Sequence, residues 1–337
     1  MKLKDKILII SDQEYRDIPA FSYSLLKAID EEGPQIITEP RTVTGKALEF
    51  GQLVDILLTA PENRYSIFHT KTVEKPTASL LQLADALLLD MLAGDLSISV
   101  VDDNFITNKI KELGLWNTIV DPKKLKGRYD VDVFWNYIIE SINAKGKIII
   151  SQDTLDAAEH CANVLKTHPY TADLFVETDD IEILYQASLL YPFKKTKGKA
   201  RLDLIRVDHK NKIIYPYDIK TGSKLPSKFE ESFYEFKYYL QVISYLLALQ
   251  YMVEHDKDLK GYKIDNFRFI YISKKLPDVP AIYEVPEGLL MSFFNGWNGN
   301  TGFNELVDNY KYATENEIYN SERKIVEHNG CLKITLR

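Results

Sequence analysis

Three charged side chains carry the most specific chemistry available to this sequence. Asp203 closes the segment Gly198-Lys-Ala-Arg-Leu-Asp203, and Asp218 and Lys220 belong to Tyr217-Asp218-Ile219-Lys220-Thr-Gly222. Both segments sit in apolar, β-branched runs that read as strands. Side chains alternate along a strand, so Asp218 and Lys220 share one face and Ile219 points to the other. If the two runs pair as a hairpin, Asp203 reaches Asp218 from the neighbouring strand. Two carboxylates and an ammonium at a strand end suit a hard divalent cation, Mg²⁺ or Mn²⁺, which takes carboxylate oxygens together with waters and a substrate phosphate. The metal candidates are Asp203, Asp218 and the backbone carbonyl of Ile219. Lys220 is the candidate for orienting or activating an attacking water and offsetting negative charge in the transition state. An Asp-x-Lys pair on its own is equally what an exposed hairpin carries to little energetic effect. The apolar surroundings of Tyr215–Ile219 point instead to a central strand, where buried charge needs a reason.

A helix must stand beside those strands. The stretch Glu230–Glu254 has helical character, and within it Gln241 and Tyr245 are spaced i and i+4, on one face. Leu240, Val242, Ile243, Leu246 and Leu247 make that helix a buried one, so an inward Gln241 needs a polar partner such as a water, a metal-bound group or a phosphate. The alternative is that both polar residues face outward.

The order Arg-Leu-Asp203, Asp218-Ile-Lys220-Thr-Gly, Gln241-x-x-x-Tyr245 resembles the signature of the PD-(D/E)XK nuclease superfamily. The wider pattern is similar to its exonuclease VIII (RecE-like) branch: Phe21-Ser-Tyr-Ser-Leu-Leu-Lys, then Phe50-Gly-Gln-Leu-Val-Asp-Ile-Leu-Leu with Pro61-Glu62, and later Phe267-Arg-Phe-Ile-Tyr-Ile-Ser-Lys-Lys-Leu-Pro277. The match covers about residues 20–65 and 180–285 and is specific as an ordered combination. The resemblance implies a restriction-endonuclease-like α/β (α+β) fold, a mixed central sheet flanked by helices. It implies that Asp203 and Asp218 bind metal, that Lys220 is catalytic, and that Gln241 and Tyr245 support them. The branch's usual His falls on Asp55, which can itself ligate Mg²⁺. The acid common before the first core strand has Gln186 in its place, with Glu182 as a neighbouring candidate. The activity implied is exonucleolytic hydrolysis of linear duplex DNA, 5′ to 3′, in phage-type recombination. A single-strand annealing protein and further copies of the chain are the implied partners. An endonuclease or a repair or defence nuclease of the same fold, and an inactive DNA-binding relative, remain as alternatives.

The elements around the site follow from periodicity and breakers. Residues 1–20 read as an extended arm, Phe21–Ile29 as a helix capped by Ser22 and ended by Gly33-Pro34, and Thr44–Thr59 as a second helix. A helical insertion is expected over about 76–175 within one nuclease domain spanning 1–337. Core strands are expected over 181–220 and 267–285, with a turn at Asp208–Asn211 and a short strand at Leu332–Leu336.

Composition restricts the function classes. A net charge of −7 argues against a protein that coats nucleic acid along its whole surface. Local basic runs remain: Lys194–Arg201 directly precedes Asp203, making Lys195, Lys197, Lys199 and Arg201 the DNA-binding candidates, and Lys123–Arg128 is a second run that a solvated face explains as well. Two cysteines, Cys161 and Cys331, exclude a disulfide framework, a zinc ribbon and the four-Cys iron–sulfur branch of the superfamily. They suit a reducing cytoplasm; the resemblance implies that of a bacterial host carrying a phage or prophage gene. The apolar run Ile7–Ile10 is too short for a secretory core, and no apolar run is long enough to cross a membrane. Walker, Gly-x-Ser-x-Gly and dinucleotide fingerprints are absent.

Overall fold

The computed structural model describes residues 3, 7, 10–40, 45–94, 101–297 and 299–332. The chain divides into two compact units, residues 1–59 with 159–337, and residues 60–158. In the first unit, α1 (Asp12–Asp17) replaces part of the expected extended arm, because Ser11 and Glu14 close a reciprocal capping box on its first turn. The next helix, α2 (Tyr23–Glu32), starts at Ser22, whose Oγ accepts from Leu25 N, and stops at Gly33 with φ 94°. In α3 (Lys46–Thr59) the buried residues are Phe50, Leu53, Val54, Ile56 and Leu58. Position 44, where the sequence suggested its start, lies outside the described residues.

The 60–158 unit contains α4 (Arg64–Ile67), β1 (Phe68–Lys71), α5 (Ala78–Ala93), α6 (Asp103–Glu112), α7 (Pro122–Tyr129), α8 (Asp132–Asn143) and β2 (Ile148–Ser151). Leu83, Leu87, Ile106, Ile110, Phe134 and Ile138 form its core. Its strands pair in parallel from Phe68↔Ile148 to Lys71↔Ser151, a sheet that the helical reading of 76–175 did not include. Each of these strands has four residues, too few for a period-2 pattern to stand out from a helix end.

After α9 (Gln152–Thr167) come β3 (Ile181–Phe193), β4 (Thr196–Asp208), β5 (Ile213–Gly222), α10 (Phe229–Glu235), α11 (Tyr238–His255), β6 (Lys263–Ile264), β7 (Phe267–Ser273), β8 (Leu276–Val285), α12 (Glu287–Asn295), α13 (Phe303–Asn316) and α14 (Arg323–Glu327). The sheet runs β3-β4-β5-β7-β8, with β6 beside β5. Its pairings are antiparallel except those of β5 with β6 and β7, which are parallel. A mixed sheet flanked by helices, as the sequence suggested, is therefore the architecture. The helix expected over 230–254 is two helices: Lys237 takes a left-handed φ of 54° and is ion-paired to Asp30 at 2.5 Å. The segment expected as a strand at 332–336 lies, beyond Leu332, outside the described residues.

The main core is built on the sheet face covered by α2, α11, α12 and α13. Phe21, Leu202, Val242, Phe267, Phe269, Phe293 and Phe303 are almost fully buried there. Burying large side chains of this kind stabilises by roughly 1.5–3 kcal/mol each relative to exposure, so the sheet is a rigid support for whatever its strand ends carry.

Candidate metal and phosphate site

The site begins where β4 and β5 part. Their ladder runs from Asp208↔Ile213 to Leu204↔Tyr217 and stops; the next rung would join Asp203 to Asp218. Beyond it β5 stays paired only to β7, through Asp218↔Phe269, Ile219↔Ile270 and Lys220↔Tyr271. The Asp203 carboxylate replaces the missing ladder bond by accepting Ile219 N–H on Oδ2 at 3.0 Å. The hairpin that the sequence implied thus ends in two facing carboxylates, with the Ile219 backbone tied to one of them.

Asp218 is 1% exposed, and Lys220 Nζ lies 2.7 Å from its Oδ2. Burial, and then the negative charge of Asp203 within hydrogen-bonding reach, hold the Asp218 carboxyl well above the usual carboxylate range. Burial alone would lower Lys220, but Asp218, Tyr23, Tyr238 and Asp203 together outweigh it and the net shift is upward, so the ammonium stays charged. Tyr238 provides a ring 4.7 Å from Lys220 Nζ, an attraction available to a cation over an aromatic face. The helix break at Lys237 immediately precedes Tyr238 and sets where α11 begins.

From α11, Gln241 donates its Nε2–H to Asp218 Oδ1 and also to Tyr245 Oη at 3.0 Å. Gln241 faces inward and is 1% exposed, which settles the inward-or-outward alternative. Among the described residues its Oε1 is buried without a hydrogen-bond partner, a costly arrangement unless a further donor or cation occupies that place. Tyr245 is buried and packs edge-on against Tyr23, centroids 5.8 Å apart.

Asp55 comes from α3, which packs along β5. Gly51, one turn earlier, permits the approach: a Cβ there would stand 3.3 Å from Thr221 Oγ1. Gln186 links this helix to the site by donating to Asp55 Oδ2 at 2.9 Å and to Asp203 Oδ1 at 3.3 Å. Tyr23, on α2, escaped the sequence reading. Burial pushes its hydroxyl up to about 12, with Lys220, Asp218 and Asp203 as its nearest charges. Nothing in the spacing of Phe21-Ser-Tyr-Ser singles it out, since its neighbours come from strands about 180 residues later.

Several expected residues lie elsewhere or are otherwise engaged. Glu182 pairs across the sheet with Val207, well before the Asp203 rung. Its Oε2 accepts from Leu3 N at 2.6 Å and contacts His209 Nε2 at 2.9 Å. Lys199 is 7% exposed, and its Nζ donates to the carbonyls of Tyr15, Arg16 and Ile18 at 2.9, 2.8 and 2.9 Å. It caps the C-terminal end of α1 instead of offering charge to a phosphate. Arg201 stacks over Tyr15 at 4.2 Å and donates to Ser188 Oγ at 3.2 Å. Of the four basic candidates, Lys195 and Lys197 are the exposed ones. Elsewhere on the same unit, Lys224, Lys228 and Arg268 are engaged in ion pairs with Glu235, Glu231 and Asp265.

The donor set fits a hard divalent cation. Asp203 and Asp218 stand beside the Lys220 ammonium, and among the described residues the Gln241 amide oxygen has no hydrogen-bond partner. Among the described residues, no three His, Cys, Asp or Glu side chains form a ready-made cage. Mg²⁺ is commonly held by one or two carboxylates with waters and substrate oxygens completing its shell, and the carboxylates of Asp203 and Asp218 are oxygen donors of that kind.

No family model matches the chain, and no match is found among curated proteins. Among the described residues no helix is long and apolar enough to cross a membrane. Among solved structures, the crystal structure of a candidate exonuclease from Eubacterium rectale is similar over 98% of this chain and 97% of that one, with 11% sequence identity and a TM-score of 0.48.

Proposed function

We propose that this chain is a divalent-metal-dependent DNA nuclease of the PD-(D/E)XK type, acting as an exonuclease on linear duplex DNA. The observation that carries the reading is the meeting of Asp203, Asp218 and Lys220 at the point where β4 and β5 separate. In this reading Asp203 and Asp218 hold the cation, with Asp55 and the Ile219 carbonyl as further candidate ligands. A bound Mg²⁺ or Mn²⁺ supplies Lewis acidity at the phosphate and lowers the pKa of a coordinated water.

The chain's own groups do the rest. Asp218 is fixed by Gln241 from one side and by Lys220 from the other, so its carboxylate needs no reorganisation on binding. Lys220, whose ammonium stays charged, orients the attacking water and offsets charge on the phosphate oxygens. Gln241 Oε1, unpartnered in the buried wall, can accept a hydrogen from that water. Tyr245 and Tyr23 close the wall behind it and exclude bulk water.

The polarity, 5′ to 3′, and a role in phage-type recombination alongside a single-strand annealing protein rest on the sequence resemblance alone. The direct test is a gel of end-labelled linear duplex and of covalently closed circular duplex with Mg²⁺. Degradation of the linear form only, abolished in Asp218→Asn and Lys220→Met, is the expected result. Cleavage of the circle would make the protein an endonuclease. Undiminished cleavage by both variants would overturn the site.

A further inference from the structure

Gln186 breaks the pattern of its own strand, and the break is matched across the pairing. On β3 the residues packed into the main core are Leu184 and then Ala187, Leu189 and Tyr191; on β4 they are Ala200 and Leu202 and then Ile205 and Val207. Regular alternation would keep one parity along each strand. Here both strands change parity at the Gln186–Asp203 rung, while the register on either side, Tyr185↔Leu204 and Ala187↔Leu202, continues undisturbed. The backbone of Gln186 takes up the change with a φ of 49°, a left-handed conformation that side chains other than Asn and Asp seldom adopt.

A strand residue held against its preference points to something gained by its side chain. What Gln186 gains is a pair of carboxylates: its Nε2 donates to Asp55 Oδ2 at 2.9 Å and to Asp203 Oδ1 at 3.3 Å. These acids come from different elements, α3 and β4, and as anions they repel. A neutral amide with two N–H groups draws them together without itself ligating through a charge. A glutamate in its place would add a third anion, and a lysine would compete with any cation for the same oxygens.

We infer that Gln186 is a positioning residue that sets Asp55 and Asp203 at the separation a divalent cation requires, and that its left-handed backbone exists to aim the amide there. The inference rests on the metal-site reading given above. Gln186→Gly and Gln186→Glu are the informative variants, read by titration calorimetry with Mn²⁺ and by thermal melting without metal. Glycine accepts φ 49° freely, so Gln186→Gly is expected to fold and melt close to the native protein, while its Mn²⁺ dissociation constant rises about 10- to 100-fold, the range for losing a group that orients a ligand. Cleavage should fall at limiting Mn²⁺ and recover at saturating Mn²⁺. Gln186→Glu should melt lower without metal and gain more than the native protein when Mn²⁺ is added.

Native-like Mn²⁺ affinity in Gln186→Gly would overturn the inference, whether or not its melting temperature falls, because that pattern belongs to a purely structural residue. If the native protein takes up no Mn²⁺, and Asp203→Asn leaves the calorimetric trace unchanged, the metal reading itself is what fails.

Discussion

Two lysines, one buried and one half-buried, occupy neighbouring strands of the same sheet and are held in opposite ways. Lys199, on β4, spends its three N–H groups on three carbonyl oxygens of the N-terminal segment. Lys220, on β5, faces a buried carboxylate, a second carboxylate beyond it and aromatic rings. Burial lowers Lys199 from its ordinary value, whereas Asp218 together with Tyr23, Tyr238 and Asp203 reverses the same effect at Lys220. Around Lys199 every donor is matched, which is how a fold uses a charge to join segments distant in sequence. Around Lys220 two carboxyl groups crowd together and, among the described residues, an amide oxygen is left without a partner. Imbalance of that kind costs stability and is worth retaining only where a ligand completes it.

The largest effects should therefore separate the two lysines cleanly. Lys220→Met places an apolar chain of similar length against Tyr238 and Phe269 and lets Asp218 remain protonated, so the fold should melt within a few degrees of the native protein. Cleavage should drop by about 10²–10³-fold or more, the scale for losing one preorganised electrostatic group. Lys199→Met should do the reverse: a loss of about 2 kcal/mol in stability, as buried carbonyls lose their donors, with cleavage per folded molecule nearly unchanged. Urea titration and steady-state cleavage of both variants provide the check. A Lys220→Met protein that cleaves normally, or a Lys199→Met protein that folds normally but is inactive, would break the distinction.

The same contrast explains what the sequence could reveal. Asp218 and Lys220 were legible because a two-residue period and an apolar run fix their common face, and Asp203 because a hairpin of that length brings it opposite. Gln241 was legible from helical spacing and an apolar context. Lys199 was misread because a local run of basic residues says nothing about acceptors that arrive from Tyr15–Ile18. Glu182 was considered because the resemblance implies an acid near Gln186; its contacts with Leu3 and His209 lie toward the start of that strand. The break at Lys237 escaped because no glycine or proline marks it. Its cause is tertiary, the ion pair with Asp30.

Proton linkage sharpens the comparison at intermediate size. In the folded chain Asp218 holds its proton up to about 8, whereas in the unfolded chain it releases it in the ordinary carboxylate range. A raised carboxyl contributes stability that is fully present below its unfolded value and is lost as pH rises through the folded one. The metal-free protein should accordingly lose stability through this group between about pH 4 and pH 8. Divalent cations bind the deprotonated acid and compete with that proton, so the melting shift produced by Mn²⁺ should be larger near pH 8 than near pH 5. A shift of equal size at both pH values would mean that Asp218 is not a ligand.

The smallest effect concerns the basic turn. Phe193 pairs with Thr196, and between them Lys194 and Lys195 both have positive φ, 50° and 66°, the geometry of a tight hairpin turn that suits the sheet's twist. Lys194 is anchored to Asp308 at 2.7 Å and Lys199 to α1, which leaves Lys195 and Lys197 as the exposed charges of the run. An exposed lysine facing a phosphate contributes mainly through counterion release. Lys195→Ala with Lys197→Ala should weaken duplex binding only a few-fold near physiological salt and flatten the slope of log affinity against log salt by up to about 2. Turnover at saturating DNA should not change, because neither side chain reaches Asp203 or Asp218. An unchanged salt slope would assign both lysines to solvent and move the duplex-binding surface away from this turn, while the argument about the paired acids would stand.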